Sequence, residues 1–151
     1  MGIYFGSEST DSLGVYEEGT WTPTFSGGSN FNYDGNHSSG NYIRVGDIVH
    51  IRCYLGFGNP AFTAGGQSWN IICGGLPFAP SISGYSQGVI SVRCNSIGTY
   101  SLGNYIFGIV SNSAATVQFK VTKASSIEDD ALTAAMCNNY TSFAMQGTYH
   151  L

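Results

Sequence analysis

The chain has 151 residues, a length that supports one domain with a sizeable core and is short for two. Only 9% of the residues are charged, whereas 14% are aromatic and 21 are glycines, so Ser, Thr and Asn supply most of the polarity. A net charge of -4 with five scattered Lys and Arg excludes nucleic acid and anionic membrane surfaces as partners, and no apolar run reaches the roughly 20 residues of a membrane-spanning helix.

The first 18 residues differ in composition from the remainder. They contain four of the nine acids and show little periodicity. We therefore predict a neck at 1–18 and a folded head at 19–151. The first strand of the head is predicted around Trp21, and Pro23 predicts that this strand lies at a sheet edge, because proline cannot donate to a sheet ladder.

A β-hairpin is predicted next, in "NYIRVGDIVHIRCYLGF". The runs 42–45 and 48–51 flank Gly46 and Asp47, and Gly46 supplies the positive φ of a primed two-residue turn. Alternation along the second run places four apolar residues on one face: Val49, Ile51, Cys53 and Leu55. The other face is half-polar and is predicted to meet solvent or a neighbouring subunit: Ile48, His50, Arg52 and Tyr54.

The remaining chain also has a β pattern. Strands are predicted at 69–73, 88–94, 105–110, 116–121 and 140–150, separated by clusters of Gly, Ser and Asn. This spacing predicts an all-β fold, either a sandwich or a barrel. The run "YIFGIV" is apolar on both faces and is predicted to be buried on two sides. One short helix or turn is predicted from Ser126, with the acids 128–130 in its first turn.

Four cysteines are spread along the chain: Cys53, Cys73, Cys94 and Cys137. They include no CxxC pair, and three of them lie in apolar strand patterns, so we predict free thiols that act as small core hydrophobes. No His or Cys pair has the spacing of metal ligands. Neither a metal nor another cofactor is predicted.

Four segments together resemble, in order, the C-terminal receptor-binding (head) domains of bacteriophage tail-fibre and tailspike proteins: "LGVYEEGTWTPTFSG" (13–27), "GNYIRVGDIVHIRCYL" (40–55), "IICGGLPFAP" (71–80) and "FAMQGTYHL" (143–151). The first is similar to the stalk-to-head junction of that family. His150 departs from the pattern, which has a basic residue at that place.

The resemblance implies a homotrimeric head at the distal tip of a fibre, with an all-β fold that is an antiparallel, jelly-roll-like β-sandwich. The neck then joins the head to the rest of the tail fibre, and the protein is a component of the virion. The implied partner is a host surface glycan of the lipopolysaccharide or capsule type.

Sugars are held by aromatic faces and by amide, carboxylate and hydroxyl groups. The predicted loop "NFNYDGNH" offers both kinds of group, and so do the segments "AGGQSWN" and "SGYSQG". The predicted ligand-binding residues are Asn30, Tyr33, Asp34, His37, Trp69 and Tyr85. For Trp69 a place in the core is an equal alternative, since this residue begins a predicted strand.

Catalytic patterns are weak. "GYSQG" matches the GxSxG motif, but a strand pattern follows it, so Ser86 is predicted to lie in a polar turn. "GFGNPA" loosely fits a phosphate-binding loop, yet Pro60 and the missing helix favour a surface loop. The acids 128–130 are predicted to be a solvated helix start instead of a metal site.

A glycosidase would have to pair Asp34 with that distant acidic run. The prediction is therefore a binding protein and not an enzyme. Two alternatives stay open: a structural head that caps the trimer, and a tailspike-type depolymerase or esterase.

Overall fold

The computed structural model describes residues 15–26, 31–62, 69–80, 88–98, 105–110, 114–122 and 128–151, with the backbone alone at 33–36, 60 and 62. Within these residues the elements are β1 (Tyr16–Trp21), β2 (Thr24–Ser26), β3 (Phe31–Val45), β4 (Ile48–Phe62), β5 (Ile72–Gly74), β6 (Gly88–Ile97), β7 (Ile106–Val110), β8 (Thr116–Thr122), β9 (Asp129–Ala131), a 3-10 turn (Ala134–Met136) and β10 (Cys137–His150).

The strands form one antiparallel sheet in the order β1-β3-β4-β10-β6-β7-β8-β5-β2, and β9 also pairs with β8. β1 and β2 are thus the two ends of the sheet, yet only Thr22 and Pro23 separate them in the chain. Three Cα–Cα steps span at most ~11 Å, so the sheet curls until its two ends approach each other. The predicted all-β antiparallel fold is confirmed, and Pro23 lies between the two edge strands.

Aromatic side chains from distant strands fill the interior of the curl. Phe25 of β2 stacks on Phe57 of β4 with ring centroids 4.0 Å apart, and Phe119 of β8 stacks on Phe143 of β10 at 4.7 Å. Phe25 also meets Phe143 edge-on at 6.1 Å. These contacts hold the two sides of the sheet together as the layers of a β-sandwich around one core.

The predicted hairpin is confirmed. Val45 pairs with Ile48 across the Gly46-Asp47 turn, and Gly46 has a φ of 59°. The four apolar residues predicted on one face of β4 are all buried, whereas the residues between them are exposed. We call the sheet end with this turn the turn end, and the opposite end of β3, β4, β6 and β10 the far end.

Three of the segments that carry the family resemblance meet around Phe78. The Tyr42 ring lies edge-on to the Phe78 ring at 5.3 Å, and the Arg44 guanidinium lies 5.0 Å from the Phe78 ring centroid. The buried Tyr149 hydroxyl donates to the Phe78 carbonyl at 2.9 Å. These segments therefore serve the internal packing of the curled sheet.

All four cysteines are free thiols. Cys53, Cys73 and Cys137 are buried, as predicted for small core hydrophobes, and Cys94 is half-buried. Burial raises the pKa of Cys94 to about 12 and also raises the pKa of Cys137. At neutral pH these two thiols are protonated, and a protonated thiol is a poor nucleophile.

The short helix or turn predicted from Ser126 begins later in the chain than predicted, and the placement of the acids 128–130 in its first turn is wrong. Asp129–Ala131 forms β9 and pairs with residues 120–122 of β8, and a single 3-10 turn follows at Ala134–Met136. β5 covers only the first part of that side of β8, so unpaired backbone groups remain for β9. Hydrogen bonds to these backbone groups stabilise the segment as a strand more than an isolated short helix would, since short helices are only marginally stable. Ser126 itself lies outside the described residues.

Two segments predicted as loops are strands. β3 begins at Phe31 and includes most of "NFNYDGNH", and β4 extends through "GFGNPA" to Phe62. The pairing of β3 with β4 shifts register on both sides of Tyr33. Such irregularities let strands continue through glycine and proline, which the local composition alone did not indicate.

The prediction that 105–110 is buried on two sides is wrong for a single chain. Gly108 and Val110 are buried, but Phe107 and Ile109 on the opposite face are only half-buried, and Tyr105 is exposed.

The domain boundary after residue 18 stays a prediction. Residues 16–18 pair with β3, and 1–14 lie outside the described residues.

Candidate functional site

We call the sheet face opposite the core the outer face. Directly paired residues of antiparallel strands project to the same face, so exposed residues of β4, β10 and β6 form rows across the sheet. Two of these rows are Arg52, Gln146 and Ser91, and Tyr54, Ala144 and Arg93. The half-polar face predicted for β4 is therefore part of a polar surface that spans three strands.

At the far end of the outer face lies a pocket of about 200 Å³, lined by His37, Tyr54, Gly56, Phe57, Asn95, Tyr140 and Ser142. His37, Tyr54 and Tyr140 are exposed, and the His37 and Tyr54 rings are 5.4 Å apart at 56°. The pocket thus combines exposed ring faces with an amide and hydroxyl groups. Such a combination can hold a molecule that has both C–H surfaces and hydroxyls.

The pocket forms where two strand pairs lose their regular register. The β3–β4 pairing shifts over 33–38, and the β10–β6 pairing shifts over 137–142. His37 lies in the first shift and Tyr140 in the second. Because a bulge turns side chains out of the strict alternation, both irregularities bring a ring to the same small area.

The backbone around the second shift adopts an unfavourable conformation. Ser96 has a φ of 60° and Tyr140 a φ of 64°, and they are the non-glycine residues with positive φ in the described part of the chain. The buried Thr141 hydroxyl fixes this conformation, since it accepts from the Asn138 N–H at 2.7 Å and donates to the Ser96 carbonyl at 2.5 Å. Strain that is held in this way is typical of functional sites.

Two asparagine side chains also hold the bulge around Tyr140 in place. The Asn139 side-chain oxygen accepts from the Ala61 N–H at 2.7 Å, which ties the bulge to β4. The Asn59 amide donates to the Tyr140 hydroxyl oxygen at 3.0 Å. Since that oxygen accepts from Asn59, the hydroxyl proton of Tyr140 is directed to another acceptor and can be donated to a ligand.

The six residues predicted to bind a ligand have different positions. His37 lines the pocket. The backbone of Tyr33 and Asp34 belongs to β3, and the Tyr33 Cα lies opposite Phe57, but their side chains lie outside the described residues. Asn30 and Tyr85 also lie outside them.

Trp69 does not line the pocket. It is half-buried and meets the Phe31 ring edge-on, with centroids 6.1 Å apart. Phe31 in turn stacks on the core residue Phe57 at 5.6 Å. This position agrees with the alternative of a packing residue, and a binding role for Trp69 stays a prediction.

Sequence reasoning missed Tyr54, Asn95 and Tyr140 as site residues. The alternation along β4 did place Tyr54 on the half-polar face. For Tyr140, the polar run "NNYT" near the start of β10 was an available signal, since the bulge lies there. Asn95 had no comparable signal, because its place in the pocket depends on the partner strand.

The acids considered for metal binding or cleavage are accounted for in part. Asp129 lies on β9 and forms an ion pair with Lys120 at 3.3 Å. Among the described residues no three His, Cys, Asp or Glu side chains are grouped as metal ligands. A separate finding is that no helix in the same residues is long and apolar enough to span a membrane. The Asp34 side chain and Ser86 lie outside those residues.

No protein-family model and no curated protein matches the chain. A solved structure that does match is that of the Dettilon tailspike protein, with a TM-score of 0.68 and 13% sequence identity. The match covers 89% of this chain and 24% of the tailspike, so the chain spans about a quarter of that protein's length. The fold of the chain is thus that of part of a phage tailspike protein.

Proposed function

We propose that the chain is the receptor-binding head of a phage tail fibre or tailspike, and that it binds a host surface glycan of the lipopolysaccharide or capsule type during adsorption. The shared fold and the resembling segments support a place in the virion tail, with residues 1–18 leading to the rest of the fibre. The observation that carries the binding proposal is the far-end pocket, in which His37, Tyr54 and Tyr140 surround polar groups.

The proposed activity is binding without cleavage. Glycoside hydrolysis needs two carboxyl groups about 5–10 Å apart. The described residues that line the pocket include aromatic, amide and hydroxyl groups and no carboxylate. The proposal requires no cofactor.

We further propose that three copies assemble through the turn end. Five apolar residues are exposed there, at 41% to 66% of their surface: Val15, Tyr16, Ile43, Ile48 and Val89. Large exposed apolar groups favour a protein partner, and the far-end pocket stays open in such an assembly. The three weak sites of one trimer then give firm attachment by avidity.

The same apolar residues favour a second candidate, a structural head that registers the trimer while another part of the fibre contacts the host. This candidate needs the turn end and makes no use of the far-end pocket. Binding by the isolated head separates the two functions.

The test is an array of bacterial surface glycans probed with the purified chain and with Tyr54→Ala. We expect selective binding by the wild type and at least a 10-fold loss in the variant, because a ring at the centre of a small site carries much of the affinity. Tyr105→Ala is the matched control, since Tyr105 is also an exposed tyrosine but belongs neither to the pocket nor to the apolar residues of the turn end. An intact trimer that binds no glycan would favour the structural candidate.

A further inference from the structure

A second cavity adjoins the pocket on the outer face. It is a groove of about 370 Å³ that crosses β4, β10 and β6, and its lining includes Arg52, Ser91, Arg93, Ala144 and Gln146. In the sheet register Ala144 lies directly between Tyr54 and Arg93. Tyr54 lines the pocket and pairs directly with Ala144 of the groove, so the two cavities are neighbours on the outer face.

The groove carries two positive charges that have no ion-pair partner among the residues that the structure describes. Arg52 and Arg93 are both exposed, and neither has a carboxylate within ion-pair distance among the described residues. By contrast, Lys120 is paired with Asp129, and the Arg44 guanidinium donates to the Gly46 carbonyl and lies on Phe78.

This arrangement is unusual for a chain with a net charge of -4 and five Lys and Arg in total. Arg52 and Arg93 lie two strands and two residues apart, so their Cα atoms are roughly 12 Å from each other, and both side chains border the same groove. Guanidinium groups recognise planar oxyanions by paired hydrogen bonds. Because Ala144 has a small side chain, there is space for an anionic group between the Arg52 and Arg93 guanidinium groups.

We propose that the glycan is anionic and that Arg52 and Arg93 bind its acidic group, a carboxylate or a phosphate. The sugar ring next to that group then packs against Tyr54 and Tyr140. Gln146 and Ser91 supply hydrogen bonds to the neighbouring hydroxyls. This inference rests on the proposed glycan-binding function and adds the chemical class of the ligand.

The test is an array in which each acidic bacterial glycan is printed in its native form, after carboxyl reduction, and after dephosphorylation. It is probed with the wild type, Arg52→Gln, Arg93→Gln and Lys120→Gln. Lys120→Gln is the matched control because it removes the same charge from a half-buried residue on β8, outside the groove. Circular dichroism checks that each variant is folded.

We expect the wild type to prefer native acidic glycans, and each arginine variant to bind them roughly 10-fold more weakly or worse, as for the loss of a charged hydrogen bond. Lys120→Gln should bind like the wild type. Loss of binding after carboxyl reduction identifies a carboxylate, and loss after dephosphorylation identifies a phosphate.

Two results would overturn the inference. If the wild type binds native and neutralised glycans equally, and only Tyr54→Ala reduces binding, the ligand is a neutral sugar and the glycan-binding function still stands. If the folded wild type binds no glycan of either kind, both the inference and the proposed function fail.

Discussion

Tyr149 links two segments of the chain that are 71 residues apart. Its ring is fully buried, and its hydroxyl donates to the Phe78 carbonyl at 2.9 Å. Tyr149→Phe keeps the ring and leaves that buried carbonyl without its donor. We expect the free energy of unfolding to fall by about 1–2 kcal/mol, measured by urea denaturation at a fixed protein concentration.

Tyr16→Phe is the control for this substitution. It removes an exposed hydroxyl that donates to Glu18, and an exposed hydrogen bond of this kind contributes little. Equal effects of the two substitutions would show that the Tyr149 hydroxyl has no special role in stability.

The same residue predicts a dependence on alkaline pH. Burial raises the pKa of Tyr149 to about 12, and the positive charge of Arg44 opposes part of that rise. Because the folded-state pKa is above the ordinary value of about 10, this contribution to stability is complete below pH 10 and is lost as the pH rises through 12. Over that range Tyr149→Phe should lose less stability than the wild type.

At the scale of elements, the pairing of β1 with β3 depends on one glycine. Gly40 lies opposite Trp21, and a Cβ at Gly40 would lie 2.8 Å from the Cδ1 atom of the buried indole. Gly40→Ala should therefore destabilise the protein by about 1–3 kcal/mol, since the ring has to move out of its packed position. Thermal and urea unfolding measure this loss.

A double-mutant cycle gives the control. In the Trp21→Phe background the ring is smaller, so adding Gly40→Ala should cost less than in the wild type. An equal cost in both backgrounds would mean that the overlap with Trp21 is not the cause.

Much of the sheet could be predicted from local pattern. The alternation along β4, the Gly46-Asp47 turn and the apolar runs of β6 and β8 each specify a strand without knowledge of its neighbours. The register shifts near His37 and Tyr140 could not be predicted, because a bulge depends on the length of the partner strand. The sequence of β9 likewise indicated a helix start, because its pairing with β8 depends on a strand that is distant from local pattern.

At the scale of the whole molecule, the resembling segments and the candidate site occupy different places. The segments around Phe78 and Trp21 specify packing, and they are readable in the sequence because packing limits residue choice. The pocket combines β3, β4, β6 and β10 at the far end, and residues such as Asn95 belong to it only through the fold. Sequence alone therefore indicated the fold more readily than the residues of the candidate site.

The proposed assembly gives a prediction at this scale. Val89 is 66% exposed on the outer face of β6, so Val89→Glu should break the trimer by placing charges in an apolar contact. Light scattering should then change from three times the 16.0 kDa chain mass to one. Ala135→Glu adds the same charge at an exposed residue of the 3-10 turn near the far end, and this control should leave the trimer intact. A wild-type monomer would contradict the proposed assembly.

The central claim is that the far-end pocket binds the glycan, and the most direct test is calorimetric titration of the glycan selected on the array against the wild type and Tyr140→Ala. Tyr140 contributes an exposed ring and a hydroxyl held by Asn59. We predict at least a 10-fold weaker affinity for the variant with the fold unchanged. An unchanged affinity would place the binding site elsewhere on the molecule and contradict the account.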